Sequence, residues 1–466
     1  MSVQNIPIII ISYNNYKYVE NTLNQILNIN KEYYDNIQIL DNCSYCLETI
    51  NFLKNTNVKV IYNNNNNGPW IFPWENSHIY NILPEKYILT DPDLEFNKNI
   101  PKNFIEVLSN LSDKYKCNRV GFALDISDFE KMYKFTYADD KNIYDYELRF
   151  WENKIDDNDY ELYNAGIDTT FCLINKQYVS NDNSNCLRIA GNFTTKHLPW
   201  YETNHVYSVY ENYLLCKKQT NISSISTKIL SFIDNEYLTI IKNDEQFLIK
   251  NSENDINLNF WKNTYTDWEK ETFIIFDKYL DVNKIFIDIG GWIGTTSMYG
   301  SRKSKYVYCI EADKESFNDI SLNMQTNCKN NYKIINKAIY NINDILIKFG
   351  KNKFLNNSKM NDSTSQIYDN DDSVDDCYLI NTITIESIIN DNKIKTNEIS
   401  LIKVDIEGGE EYILNDLYNI HKKYNIPLYI SFHYEWWKNK NLDRFDFLTK
   451  IQKDNIVKCP FVSMIF

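Results

Sequence analysis

The stretch Lys284–Met298, KIFIDIGGWIGTTSM, decides how the second half of the chain is read: an apolar strand carries Asp288, and Gly290, Gly291 and Gly294 then turn it into a helix. Glycines permit a tight strand-to-helix turn and close backbone approach to a ligand, and the spacing falls short of GxGxxG, which lowers the case for a dinucleotide. Downstream, YVYCIEA ends a strand at Glu311, where a carboxylate can accept both hydroxyls of a ribose, with Asp313 alongside. NAD-binding folds hold ribose in the same way, so this feature alone does not separate the ligands. LIKVDIEGGEEYIL (Leu401–Leu414) brings another strand into Asp405, Glu407 and Glu410 around Gly408 and Gly409. With strands also at YKIINKAI and PLYISFHY, spaced for crossover helices, this half reads as a doubly wound α/β sheet.

Upstream, EYLTIIKNDEQFLIKN (Glu236–Asn251) alternates in polarity about Asn243-Asp244, the pattern of a hairpin. The expected organisation is a domain over 1–235, a connecting hairpin and linker over 236–270, and a second domain over 271–466. In the first domain PIIIISYNNYKYVENTLNQIL (Pro7–Leu27) runs an Ile-rich strand into helical periodicity, and NIQILDN and VKVIYNN add strands. Apolar strands at helix-length intervals again give a parallel α/β sheet with ligands at the carboxyl ends of its strands. The polar, Asn- and Ser-rich stretch Asn356–Asp376 is expected to form a mobile loop over the second sheet.

The 466 residues are enough for two or three cores, and a net charge of −14 without a dense Lys/Arg stripe argues against nucleic acid or an anionic membrane as partner. Ten scattered cysteines with no second CxxC read as reduced thiols. The apolar run Ile6–Ile11 is too short to span a bilayer, and the chain is expected to be soluble and cytoplasmic. Oligomeric state is not legible.

KYILTDPDLEF delivers Asp91 and Asp93 at a strand end, two carboxylates able to grip a divalent cation that bridges the phosphates of a nucleotide sugar. The bland alternative is an Asp-Pro turn. Together with Tyr13-Asn14-Asn15, Asp41-Asn42, the run ending Gly68-Pro69-Trp70, YNAGIDTTFCLINK and RIAGNFTTKHLPWYE, the order resembles a glycosyltransferase of the GT-A fold. The resemblance implies Tyr13, Asn14, Asp41, Gly68 and Asp91 at the nucleotide sugar. It implies Asp91, Asp93 and His197 around manganese or magnesium, Asp168 or Glu211 as the base, and Trp200 and Tyr201 at the acceptor.

The second half resembles the FkbM-type methyltransferases in its glycine turn, in ESFNDISLNMQTN, in LIKVDIEGGEEYIL, in WEKETFIIFDKYL and in ISFHYEWW, although GGW replaces the commoner Gly-Ala. This resemblance implies S-adenosylmethionine bound by Asp288, Gly290, Gly291, Trp292, Gly294, Glu311, Asp313 and Asp405. It places Asp405, Glu407 and Glu410 in the methyl-transfer cleft, Glu410 toward the acceptor, with a carboxylate or His433 to orient or deprotonate the acceptor hydroxyl; magnesium held by Asp405 and Glu407 is the alternative. The two halves together imply a bifunctional enzyme that transfers a sugar from a nucleotide-sugar donor to a glycan acceptor and O-methylates a sugar hydroxyl. The alternatives are a methyltransferase with a glycan-binding N-terminal domain, and a non-catalytic glycan-binding protein.

Overall fold

The computed structural model describes residues 5–179, 185–218, 224–252, 255–353, 355, 360–368, 377–438 and 463–465. The chain divides into two compact units, Met1–Asp234 and Asn235–Phe466. Both are α/β. No helix among the described residues is long and apolar enough to cross a membrane.

The strands of the first unit are β1 (Ile8–Ser12), β2 (Ile37–Asp41), β3 (Lys59–Tyr62), β4 (Lys86–Thr90), β5 (Leu94–Phe96), β6 (Arg119–Phe122), β7 (Lys154–Ile155), β8 (Leu162–Asn164), β9 (Cys172–Asn175), β10 (Cys186–Ile189) and β11 (Thr195–His197). Nine of them form one sheet in the order β3-β2-β1-β4-β9-β6-β10-β8-β7. β3, β2, β1 and β4 run parallel, and β9 turns antiparallel against both β4 and β6. The Ile8–Ile11 run is buried on both faces, as a strand central to a helix-covered sheet must be. The following helix, Tyr16–Ile29, buries Tyr18, Val19, Thr22, Leu23 and Ile26 along one face. β5 and β11 pair antiparallel outside the large sheet, with His197 opposite Leu94. That register sets the imidazole beside the Asp91–Asp93 turn.

The second unit adds β12 (Tyr237–Lys242), β13 (Glu245–Lys250), β14 (Ile285–Ile289), β15 (Tyr306–Ile310), β16 (Tyr332–Ile335), β17 (Ala338–Ile339), β18 (Leu346–Gly350), β19 (Gln366–Tyr368), β20 (Cys377–Ile383), β21 (Ile399–Val404), β22 (Leu428–Ser431) and β23 (Ser463–Ile465). Its main sheet has the order β16-β15-β14-β21-β22-β23, parallel except for β23. The order reverses between β14 and β21, so their carboxyl ends, at Gly290 and Asp405, define the crevice where such sheets bind ligands.

Two expectations change here. Of the stretch 356–376, only 360–368 lie within the described residues, and these include β19 of a second sheet, β17-β20-β18-β19, which sequence reading did not foresee. Residues 236–270 form the expected hairpin but are no free connector. Ile240, Phe247 and Ile249 enter one core cluster with Trp261, Tyr265, Phe273 and Tyr299. The side chain of Asn327 also pairs with both backbone groups of Leu248, at 2.8 and 2.7 Å. The alternation that marks a hairpin also gives it an apolar face, and that face needs a partner.

Candidate active sites

The cofactor end of the second unit is built by three close approaches. A Cβ on Gly290 would lie 1.8 Å from the Asp405 carbonyl oxygen, and one on Gly291 would lie 2.2 Å from the Cys309 sulfur, so the turn after β14 is pressed onto both neighbouring strands. Gly294, at φ +93, opens the helix Thr295–Lys303. Beside this turn lies a pocket lined by Gly290, Trp292, Glu311, Ser365, Asp405 and Glu407 among others. Glu311 receives the backbone N–H of Trp292 at 2.6 Å and of Asp313 at 2.7 Å. Burial, with the charge of Asp313 adding to it, pushes its carboxyl up to about 8.

Two residues expected at the cofactor also have structural duties, and Asp313 lines the pocket as well. Asp288 is fully buried, accepts from Thr296 Oγ1 at 2.7 Å and Ser297 Oγ at 2.6 Å, and faces Lys403 Nζ at 3.3 Å. Asp313 caps the helix Lys314–Asn327 through Glu315 N and Ser316 N, while its second oxygen accepts from Asn361 N and Ser365 Oγ. An acidic residue immediately before a helix is as readily a cap as a ligand.

A second cleft of about 410 Å³ shares Gly290, Trp292, Asp405 and Glu407 with that pocket and continues past Trp268, Glu269, Tyr429 and His433. His433 Nε2 lies 3.7 Å from Asp405 Oδ1 and 3.6 Å from Glu407 Oε2. On its other side Nδ1 meets Glu410 Oε1 at 3.1 Å. Glu410 is fully buried and held by Trp437 Nε1 at 2.9 Å and Gly408 N at 3.2 Å. It therefore orients His433 and does not reach an acceptor, which corrects its expected role. Burial opposes a charge on His433, but Glu410, Asp405 and Glu407 outweigh it and raise the imidazole to about 10. A ring that stays protonated through neutral pH is a donor, and this argues against His433 as the proton acceptor. Burial, with Asp405 and Glu410 adding and His433 opposing, pushes Glu407 to about 9.

Lys403 was missed in the sequence, although a lysine inside the apolar run LIKV must find a partner to be buried. It is 3% exposed and reaches Gly290 O at 2.9 Å, Asp288 at 3.3 Å and Asp405 at 3.6 Å. Glu269 was missed too; it carries no sequence signal beyond its charge. Burial and Asp405 push it to about 7, against Lys403.

In the first unit Asp91 receives Thr169 Oγ1 on Oδ2, and its own N–H donates to Thr169 O at 2.7 Å. His197 Nε2 lies 3.5 Å from Asp93 Oδ2. Asp93 Oδ1 and His197 Nδ1 are buried without a hydrogen-bond partner. Burial, then Asp93 and Asp168, raise Asp91 well above the carboxylate range. Burial opposes protonation of His197, but Asp93, Asp91 and Asp168 outweigh it and raise its pKa. Asp168 itself is exposed.

The other expected residues fare differently. Asn14 accepts from Tyr45 N and Cys46 N, both at 2.9 Å, and Asp41 accepts from Ser44 N and Oγ, so both tie down one loop. Tyr13 meets Tyr45 edge-on at 6.2 Å. Gly68, at φ +82, lets its turn pass the Glu75 carboxylate, which a Cβ would meet at 2.4 Å. Glu211 completes a capping box with Ser208 and pairs with Lys17 at 2.6 Å, so both of its oxygens are engaged in holding local structure, which weakens the case for it as the base. Trp200 and Tyr201 are 3% and 5% exposed, and the Tyr201 hydroxyl donates to Asp128 at 2.9 Å. Buried rings offer no open face to an acceptor sugar.

Asp405, Glu407 and His433 each present a ligand atom within 4.8 Å of the others, the one such group found among the described residues. Asp91, Asp93 and His197 are not among such groups.

Residues 288–455 match the family model described as the methyltransferase FkbM domain. The matched stretch lies within the second unit. No curated protein matches the chain. Solved structures similar to it include an FkbM methyltransferase from Methylobacillus flagellatus, at 12% identity and TM-score 0.26, covering 55% of this chain and 58% of that one. An rRNA methylase from Streptococcus thermophilus matches at 9% identity and TM-score 0.25, covering 42% and 92%. A mannosyltransferase from Pyrobaculum calidifontis, solved with GDP-Man and Mn2+, matches at 9% identity and TM-score 0.27, covering 49% and 68%. Likenesses at this level carry no functional weight.

Proposed function

We propose that the second unit is an S-adenosylmethionine-dependent O-methyltransferase acting on a sugar hydroxyl. The observation that carries the reading is the continuity of two pockets across Gly290, Asp405 and Glu407, one against the glycine turn and Glu311, the other open toward His433. The residues fit the cofactor: the turn admits no side chain at Gly290 or Gly291, and Glu311 waits at the strand end for ribose hydroxyls. The bound cofactor supplies an activated methyl group. Asp405 sits at the junction, between Lys403 and His433, where a carboxylate can take the proton of the acceptor hydroxyl. His433, fixed by Glu410, donates a hydrogen bond toward the same point and helps to align the acceptor oxygen. Asp405→Asn is expected to abolish methyl transfer while S-adenosylhomocysteine still binds; full turnover in that variant would remove Asp405 from the mechanism. A second reading, favoured by the three converging ligand atoms, places a divalent cation at Asp405, Glu407 and His433. Unchanged turnover after exhaustive chelation would exclude it.

For the first unit we infer a GT-A-type glycosyltransferase. Buried, unpartnered Asp93 Oδ1 and His197 Nδ1 beside a second carboxylate support it, since such atoms call for a ligand. Asp91, Asp93 and His197 would hold manganese or magnesium once nucleotide phosphate oxygens complete the shell, and the ion would neutralise the leaving diphosphate. The exposed Asp168 remains the candidate base. Manganese-dependent binding of one nucleoside diphosphate, lost in Asp93→Ala, is the expected result. If no nucleotide binds with or without manganese, the first unit is a recognition module.

A further inference from the structure

The sequence assigns residues 236–270 no chemical role, yet their last turn forms one wall of the methyl-transfer cleft. Lys242, at the end of β12, is fully buried and donates to three backbone carbonyls, those of Tyr265 at 3.0 Å, Thr266 at 3.4 Å and Trp268. Its ammonium also sits 4.2 Å from the Phe273 ring centroid. A lysine bound in this way fixes the backbone of a loop that has no regular ladder of its own. The loop presents Trp268 and Glu269 to the cleft. Trp268 and Trp292 stand 6.3 Å apart at 54°, and Phe260 packs edge-on against both, at 5.6 and 5.0 Å. Neither indole is fully buried, so aromatic surface remains open to a ligand. Thr272, Tyr429 and Ser431 line the same cleft, the first two joined by their hydroxyls at 2.8 Å.

The charge of the same wall is one-sided. Glu269, Glu271, Asp405, Glu407 and Glu435 line the cleft against Lys403 and His433. Both cations are already engaged, Lys403 with Asp288 and His433 with Glu410. With five carboxyl groups set against two cations, the space keeps an acidic balance that disfavours an acidic ligand, whereas a ring bearing only hydroxyl, acetamido or amino groups would find hydrogen-bonding partners around it. Aromatic faces set among hydrogen-bonding carboxylates suit the apolar face and polar edge of a pyranose.

We propose that residues 236–270, with Trp292, form the acceptor subsite of the methyltransferase unit, and that the subsite takes a glycosyl ring without acidic groups. This rests on the methyltransferase reading of the cleft. Lys242 acts as a positioning residue, because it reaches the ligand only through the loop it holds.

The test is binding of three methyl glycosides, of a neutral hexose, of an aminohexose and of a hexuronic acid, to the full chain saturated with S-adenosylhomocysteine. At least one of the first two is expected to bind about tenfold more tightly than the uronide. Trp268→Ala is expected to weaken that binding about tenfold while S-adenosylhomocysteine affinity stays within twofold, the loss expected for one aromatic contact. Lys242→Met should act in the same direction, and Trp268→Phe should restore part of the loss. Equal or tighter binding of the uronide, absence of binding by both non-acidic glycosides, or binding untouched by Trp268→Ala would overturn the proposal. Failure of the chain to bind S-adenosylhomocysteine at all would instead overturn the reading on which it rests.

Discussion

The two units present the same triplet in two settings. At one strand end stand Asp91 and Asp93, at another Asp405 and Glu407, one residue apart in each case, and each pair has a histidine beside it, His197 or His433. Around Asp405 the protein supplies its own positive charge, with Lys403 at 3.6 Å and a histidine held by the buried Glu410. Among the described residues no lysine or arginine pairs with Asp93, and one oxygen of Asp93 and one nitrogen of His197 have no hydrogen-bond partner. A spaced pair of acids in a sequence therefore specifies a place where charge is concentrated. Which neighbour neutralises that charge, and hence the chemistry, is decided by residues distant in the chain.

The comparison can be broken most forcefully at the buried pair of the second unit. Asp288→Ala leaves the nearly buried Lys403 without its nearest carboxylate, and should destabilise that unit by about 3–5 kcal/mol. Thermal unfolding is expected to show the loss in one transition only; a variant with unchanged unfolding would show that Asp288 carries little of the burden. Next in size is the first unit's dependence on an external cation. Asp93→Ala should abolish manganese-dependent nucleotide binding, by calorimetry, without shifting either melting transition downward, because an unpartnered buried carboxylate oxygen is removed.

A smaller effect concerns Glu311, which burial raises to about 8. Ribose hydroxyls favour the carboxylate, so the group must lose a proton to bind. Affinity for S-adenosylhomocysteine should therefore rise with pH, by up to about tenfold per unit below 8, and level off above it. A flat profile across that range would show that Glu311 does not change its protonation on binding. Smallest of all, Glu211→Ala removes a capping box and its pair with Lys17, for a cost of about 1 kcal/mol, and should leave sugar transfer measurable. Complete loss of transfer in a folded Glu211→Ala protein would restore it as the base.

Much of the parallel framework was legible because buried stretches such as Ile8–Ile11 and Ile285–Ile287 are continuous apolar runs, and because glycines at Gly290 and Gly291 mark a turn with no room for a side chain. The strand-end acids were legible for the same reason: polarity that breaks an apolar run stands out. What escaped was function that depends on distant pairing. Asp313 gives no sign in the sequence of the helix it caps, nor Glu211 of Ser208 and Lys17 beside it. Trp200 and Tyr201 read as a sugar platform, yet both are buried. Lys242 gave no signal because the carbonyls it holds, those of Tyr265, Thr266 and Trp268, lie more than twenty residues later, and Glu269 because its place in the cleft depends on that same loop. The sheet of β17 to β20 escaped because its strands are short and flank a stretch of low apolar content.

The central claim is that the second unit binds S-adenosylmethionine independently of the acids in the first, and calorimetric titration of the full chain with S-adenosylhomocysteine tests it most directly. One molecule per chain is expected, with the same affinity in the wild type and in Asp93→Ala, and with weakened affinity in Glu311→Gln. Absence of binding to the wild type, or its loss in a folded Asp93→Ala protein, would contradict the account.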